Sequence, residues 1–162
     1  MDAVARSEGL IRPARASDLE DLIELGRRSW LSAFAQTAPF AVISWWARVD
    51  RTRTHYEKHW SEMIVLEEAG AIAGLLQVIE AEINGLWVHP SRQGEGVGTR
   101  LLRKGEQIVT DDGHEAAWLT CSAYNTRALA FYGRRGYAET GRTRYVHESG
   151  VELVDVTMEH RF

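Results

Sequence analysis

Leu19, Leu22, Ile23, Leu25 and Trp30 recur at the spacing of one helical face, which predicts an amphipathic helix ending near Ala35. Upstream, "GLIRPARA" (9–16) reads as a short strand, and Ser17 followed by Glu20 has the pattern of a capping box. Residues 36–60 also look helical, with an unusual share of tryptophan in "PFAVISWWARVDRTRTHYEKHW". The pattern then changes. "EMIVLEEAGAIAGLLQVIEAEINGLWVHP" (62–90) alternates short apolar runs with glycine and charged breaks, predicting strands over 62–68, 71–80 and 82–88 with a hairpin at "EAGA". Val97, Leu101 and Ile108 mark a helix from Gly94 to the stop at "DDG" (111–113). "AAWLTCS" (116–122) is a strand, and Asn125 caps a helix in "TRALAFYGRRG" that ends at Gly136. "YAETGRTRYVHE" and "VELVDVTMEHR" close the chain as an antiparallel pair around Ser149 and Gly150. The order is β-α-α-β-β-β-α-β-α-β-β. It predicts a single α/β domain over residues 1–162, with flanking helices on a mixed, mostly antiparallel sheet of about seven strands.

Composition narrows the function classes. The 162 residues suit one domain, and 44% hydrophobic with 26% charged residues is ordinary for a globular protein. Nineteen basic against 23 acidic residues give a net charge of −4, so no basic nucleic-acid footprint is present. Cys121 is the only cysteine, which excludes an internal disulfide and fits a reducing, cytoplasmic setting. The opening "MDAVARSEGLIRPARASDLE" carries no apolar leader core, and no apolar run approaches the roughly 18 residues of a membrane span. The expectation is a cytoplasmic protein without membrane or nucleic-acid partners.

The chemistry concentrates in "VHPSRQGEGVGTRLLRKGEQIV" (88–109). A strand enters a turn with glycines at 94, 96 and 98, and a helix leaves it. Such a turn aims main-chain N–H groups and a helix dipole at one point, an arrangement suited to phosphate. A nucleotide-hydrolase phosphate loop needs Lys-Ser or Lys-Thr after its last glycine, and none follows here. A dinucleotide fingerprint needs a third glycine where Thr99 stands. A tight turn without a ligand remains the plain alternative.

Gln93, Gly96 and Gly98 give Q-x-x-G-x-G, downstream of Val88 and Pro90. This resembles the pyrophosphate-binding signature of the GCN5-related N-acetyltransferases. "NTRALAFYGRRGY" (125–137) is similar to the same family's N-x-x-A-x-x-F-Y-x-x-x-G-F/Y helix, and "IRPARASDLEDLIELGRRSW" is similar to its opening strand and helix.

The resemblance implies acetyl-CoA as cosubstrate, no metal, an amine acceptor, and a sheet splayed between its fourth and fifth strands. The pantetheine arm would pair with the backbone of Leu86, Trp87 and Val88. The diphosphate would sit on the N–H groups of Gly94, Glu95, Gly96, Val97, Gly98 and Thr99, where a Cβ would hold it away and Glu95 would point to solvent. Asn125 has two readings, a helix N-cap and a hydrogen bond to the pantetheine arm, and both can hold. Tyr132 reads as a packed aromatic beside Phe131 or, by the resemblance, as the acid that protonates the departing thiolate.

A base is needed because an alkylamine, with a pKa of about 10.4, is almost wholly protonated at pH 7. Glu82, eleven residues before Gln93, occupies the offset of the base glutamate in the family's histone-acetylating members. Glu80 shares its side if the strand runs on, and either could be an exposed hairpin charge or give way to a water chain. Thr120 stands where the family's ribosomal-protein N-terminal members carry a glutamate, which departs from that activity.

His55 and His59 share one helical face, but their spacing lacks the glutamate placement of a zinc protease and no third ligand is evident. A solvated face or a place at the substrate site are their two readings. Trp45, Trp46 and Trp60 could line an acceptor pocket, a dimer contact or the core. The function implied is N-acetyl transfer to a primary amine of a small molecule or peptide by direct attack. A non-catalytic acyl-CoA-binding module is the alternative, and a homodimer is a family-level expectation.

Overall fold

The computed structural model of the chain describes residues 9–162. Residues 1–8, where the stretch read for a leader begins, lie outside the described part. One sheet of seven strands runs through the molecule in the order β1-β2-β3-β4-β5-β7-β6. The strands are β1 Leu10–Pro13, β2 Met63–Glu68, β3 Ala71–Ile79, β4 Glu82–Val88, β5 Ala116–Ser122, β6 Ala138–Val146 and β7 Glu152–Arg161. All neighbours pair antiparallel except β4 and β5, which are parallel and joined at one residue pair, Glu82 with Trp118. Beyond that bridge the two strands part.

Alternation along the strands sends side chains to two cores. Leu66, Leu76, Ile83 and Leu119 meet Leu101 and Leu102 of α4 (Val97–Asp111) on one face. Val65 and Leu75 meet Leu22, Ile23 and Leu25 of α1 (Leu19–Phe34), with Tyr56 of α3 (Arg51–His59), on the other. Helix α5 (Thr126–Gly133) adds Phe131 and Tyr132 to the α4 side. Among the described residues no helix is long and apolar enough to cross a membrane.

Four local expectations are corrected. Residues 36–60 form two helices, α2 (Phe40–Val49) and α3, so three helices rather than two lie between the first two strands. The break is Asp50, held left-handed at φ +45°, whose carboxylate pairs with Arg27 and receives the Arg53 N–H. The capping box at Ser17 does not form. A 3-10 turn, Ala16–Asp18, precedes α1; Asp18 accepts the Arg15 N–H at 2.7 Å and the Arg12 guanidinium at 2.7 Å, while Glu20 pairs with Arg53. Helix α4 begins at Val97, not Gly94, with Gly96 as its N-cap. Finally, β3 ends at Ile79 and Glu80 lies in the hairpin turn at φ +54°, so it does not share a strand face with Glu82.

The β2–β3 hairpin turns through Ala69 at φ +51° and Gly70 at φ +79°, two left-handed residues that match the twist of the strands. An L-residue with a Cβ pays about 1–2 kcal/mol to be there. Ala69→Gly is therefore expected to raise stability by up to about 1 kcal/mol, or a few degrees in Tm for a domain of this size. A thermal melt in which Ala69→Gly unfolds no later than the native chain contradicts this account of the turn.

Candidate active site

The site grows from the parted strands. His89 N–H bonds Ala73 C=O at 2.9 Å, which fixes the alternation of the β3–β4 ladder. Trp87 then pairs with Leu75, while Leu86 and Val88 direct their N–H and C=O groups away from β3, toward β5. On β5, Ala123 N–H bonds Val154 C=O, so Thr120 and Ser122 present theirs toward β4 in the same way. The register also contains a bulge: Gln77 faces Gly85 and Val78 faces Ile83, leaving Asn84 as the extra residue on β4.

Side chains hold the cleft open. Ser29, buried on α1, donates to the Val88 carbonyl at 2.9 Å, and Gln93 Nε2 donates to the same oxygen at 3.2 Å. Gln93 Oε1 is in turn taken by Arg127 of α5. One glutamine thus ties the end of β4 to the helix across the cleft.

The glycine turn caps this cleft. Gly94 (φ +79°) and Gly96 (φ +86°) are left-handed, and a Cβ at either would meet nothing within 4 Å. Their backbone conformation, not crowding, demands glycine. Gly98 is different, because a Cβ there would come within 3.3 Å of the Phe131 ring. With Gly96 as N-cap, the Arg100 N–H returns to the Gly96 carbonyl at 3.0 Å. The N–H groups of Val97, Gly98 and Thr99 have no partner inside the helix. Glu95 does not simply face solvent; its carboxylate takes the Arg92 side chain at 2.7 Å.

These parts enclose a cavity of about 530 Å³, lined by Leu86, Trp87 and Val88, by the turn, and by α5. Asn125 caps α5, its Oδ1 accepting the Ala128 N–H at 3.1 Å, and also lines the cavity. Tyr132 lies in the same wall, 8% exposed, its ring edge-on to Phe131. Burial, with the Cys121 thiol adding a little, raises the Tyr132 hydroxyl well above the ordinary phenol range. The phenol therefore stays protonated at neutral pH.

Three arginines missing from the sequence reading complete the wall: Arg127, Arg134 and Arg135. Among the described residues none of them makes an ion pair with a carboxylate, whereas Arg92 and Arg100 nearby are both committed to Glu68. Arg135 lies over the Phe131 ring at 3.7 Å and donates to Thr99 Oγ1. Burial first, then the charges of Arg134 and Arg103, lowers its pKa. A bound anion would relieve that crowding, so charge and helix terminus point to the same ligand chemistry. The "RRG" after the Tyr132 segment was the visible signal, but helix-end arginines are common and only the fold turns them toward the turn glycines.

Glu82 stands elsewhere. It begins β4 at the bridge with Trp118, four residues and about 13 Å of strand before Leu86, and lines neither this cavity nor its neighbour. Glu80 is in the exposed turn, and Thr120 turns its main-chain groups toward β4 but lines neither cavity.

A second cavity of about 300 Å³ adjoins the first and shares Trp87 with it. Trp45 and Trp46 line it, Trp46 stacked on Trp30 at 4.3 Å and Trp45 meeting His147 edge-on at 4.5 Å. Trp60 packs instead against the α1-side core. His55 is exposed and lines this cavity, whereas His59 sits beside Glu62.

A sheet parted at one parallel pair, with a glycine turn and a helix N-terminus closing the cleft, defines a class of proteins with an open strand edge beside a turn suited to an anion. The sequence matches the Acetyltransferase (GNAT) family over residues 19–137, more than half of its length, and the chain belongs to that family.

Among curated relatives, mycothiol acetyltransferase of Clavibacter sepedonicus is 30% identical over 128 residues, 76% of this chain and 41% of that protein. Acetyl transferase GW6a of Oryza sativa subsp. japonica is 35% identical over 83 residues, 50% of this chain and 20% of that protein. The chain thus spans less than half the length of these two relatives. Among solved structures, a GCN5-related N-acetyltransferase from Rhodopseudomonas palustris superimposes with a TM-score of 0.83 at 21% identity, over 99% of this chain and 100% of that one. The PaiA N-acetyltransferase of Thermoplasma acidophilum, solved with coenzyme A, gives 0.72 at 22% identity, over 95% and 99%. At these identities the likeness is one of fold.

Gly96→Ala forces an L-residue into the left-handed region at a cost of about 1–2 kcal/mol. It is expected to weaken coenzyme A binding by about tenfold or more in titration calorimetry while the chain stays folded, and unchanged affinity would contradict the role given to the turn.

Proposed function

We propose that the protein transfers an acetyl group from acetyl-CoA to a primary amine of a small molecule or peptide, by direct attack of the amine on the thioester. The observation that carries this reading is the meeting of two cavities at Trp87. One has the turn, the arginines and the open strand edge that a diphosphate and a pantetheine arm need, and the other is aromatic-walled and suited to an acceptor. Val97, Gly98 and Thr99 N–H groups hold the diphosphate, with Arg127, Arg134 and Arg135 around it. The amide groups of the arm pair with main-chain groups of Leu86, while Val88 offers its N–H alone because its carbonyl already accepts from Ser29 and Gln93. This docking sets the thioester beside β4, where the Val88 N–H can polarise its carbonyl as charge develops.

Tyr132 acts at sulfur. A free thiol has a pKa of about 8.5 and a phenol about 10, so full transfer from tyrosine to thiolate is uphill. Burial raises the phenol further but also raises the thiolate's proton affinity, because both anions lose water in the same wall. The hydroxyl therefore serves best as a donor whose hydrogen bond strengthens while the C–S bond breaks. Glu82, placed at the closed end of the cleft, is not used in this scheme. The proton acceptor belongs to the acceptor cavity.

An acyl-CoA-binding module without catalysis is the rival, and the buried, protonated Tyr132 in the cavity wall speaks against it. Thiol release from acetyl-CoA across a panel of amines separates the two. Tyr132→Phe keeps the ring and is expected to lower kcat by about 100-fold or more with coenzyme A affinity nearly unchanged. Because burial raises the Tyr132 pKa, its acid form persists as pH rises, and kcat should show no alkaline fall before about pH 10. A fall near pH 8 that disappears in Tyr132→Phe, or full activity of that variant, removes Tyr132 from the chemistry.

A further inference from the structure

Three side chains connect the acceptor cavity to the sheet. His55 of α3 lines the cavity and places Nε2 3.2 Å from Oε1 of Gln77. Gln77, on β3 and 2% exposed, gives its Nε2–H to Glu62 at 2.8 Å. Glu62 also meets His59 Nδ1 at 3.1 Å. An ionised carboxylate only accepts, so the amide nitrogen of Gln77 is the end that faces Glu62 and the carbonyl is the end that faces His55. A carbonyl likewise only accepts, so neutral His55 carries its proton on Nε2 and presents Nδ1 as a lone pair. No hydrogen bond to Nδ1 occurs among the described residues.

The other histidine of this wall is committed: His147 Nδ1 already accepts the Ser149 N–H at 3.1 Å. No aspartate or glutamate lines the cavity among the described residues. Position agrees with chemistry. Gln77 lies two residues from Leu75 on the same face of β3 and is in register with Gly85, next to the Leu86–Val88 edge where the thioester docks.

The geometry points to His55 as the base that takes the proton from the acceptor's ammonium, with Gln77 and Glu62 as positioning residues that fix its tautomer; this rests on the acetyl-transfer reading above. The ammonium N–H proton passes to Nδ1, and the neutral amine forms the C–N bond at the thioester carbon. A second proton leaves nitrogen as the C–S bond breaks and replaces the one Tyr132 gives to sulfur. The products are the amide, the free thiol and one proton, which His55 returns to water because its ring is exposed. The imidazolium keeps its Nε2–H bond to Gln77 throughout.

Titratable and charged groups around His55 are Arg51, Tyr56 and His59 on its own helix and Glu62 behind Gln77. Tyr124, Tyr145 and His147 face it across the cavity. Behind Tyr145 stands Asp155, hydrogen-bonded to its hydroxyl and raised in pKa chiefly by burial. It is outside the cavity lining and serves as the comparison.

The test uses the full chain, acetyl-CoA and 2-phenylethylamine within a panel of alkylamines. His55→Ala, at an exposed position, is expected to lose about 100-fold in kcat/KM for the amine at pH 7 with acetyl-CoA affinity unchanged. That deficit should shrink toward pH 9.5, where the amine approaches its own pKa of about 10 and needs no base. Added imidazole should restore part of the rate. Long-range proton–nitrogen NMR should find His55 as the Nε2–H tautomer above pH 8, and Gln77→Leu should scramble it while slowing turnover less than His55→Ala.

If the native chain binds coenzyme A but releases no thiol with any amine, the acetyl-transfer reading falls and takes this assignment with it. If the native chain turns over and His55→Ala equals it at pH 7, or loses equally at both pH values, the assignment alone falls. The same follows if Asp155→Asn shows the deficit that pH repairs, or if NMR finds the Nδ1–H tautomer.

Discussion

Everything in this molecule turns on a sheet that declines to close. Parallel neighbours ordinarily exchange hydrogen bonds along their whole length, but β4 and β5 share one bridge, at Glu82 and Trp118. Beyond it the polar edges of Leu86, Val88, Thr120 and Ser122 face each other across a cleft. A main-chain amide kept from both water and a partner costs roughly 1–3 kcal/mol. Where the protein itself supplies no partner, such an edge calls for water or for an extended ligand with amides of its own in the gap.

Keeping the gap open takes specific contacts. The Val88 carbonyl is claimed by Ser29 from one face and by Gln93 from the turn, which stops β4 from drifting toward β5. The Ser122 carbonyl receives the Asn125 N–H at 2.9 Å, so β5 is finished by the start of α5 rather than by β4. The bulge at Asn84 turns the strand just after the bridge, and Ile83 and Leu86 both reach the α4 core despite their odd spacing. The two cores on either face then fix the positions of the parted strands.

Legibility in the sequence followed the kind of atom that does the work. The glycine turn is shaped by its main chain, and main-chain geometry leaves short, local traces: left-handed Gly94 and Gly96, Gln93 at fixed spacing, and Asn125 at a helix start. Those residues could be read in a line. The bulge at Asn84 leaves no such trace, because an extra residue in a strand looks like any other until its partner is known. Asp50 was hidden because aspartate rarely ends one helix and starts the next in the left-handed region. It does so here because Arg27, 23 residues away, holds its carboxylate. Asp18 displaced Ser17 as the capping group for a similar reason, since Arg12 fixes it from the preceding strand. The second cavity draws on α1, α2, α3, β4, β5 and the last hairpin, so no spacing rule could have assembled it.

The electrostatic contrast between the two cavities bears on how hard the chemistry is. Around the turn, Arg127, Arg134, Arg135 and the start of α4 supply positive charge for an anion. Around the second cavity, the described walls supply tryptophan and tyrosine faces, His55, His147 and Arg51, whose charge is met by Glu148, and no carboxylate. In the proposed transfer, an ammonium entering there keeps some attraction to the ring faces but loses water and finds no counter-charge in contact. Desolvation without a paired anion favours the neutral amine, the form that attacks. A carboxylate in this wall would bind the substrate more tightly but would hold it in the wrong protonation state. In that scheme, an aromatic wall with a neutral proton acceptor at its mouth trades some ground-state affinity for a larger fraction of reactive amine. That trade acts on the attacking step and leaves the cosubstrate's grip untouched.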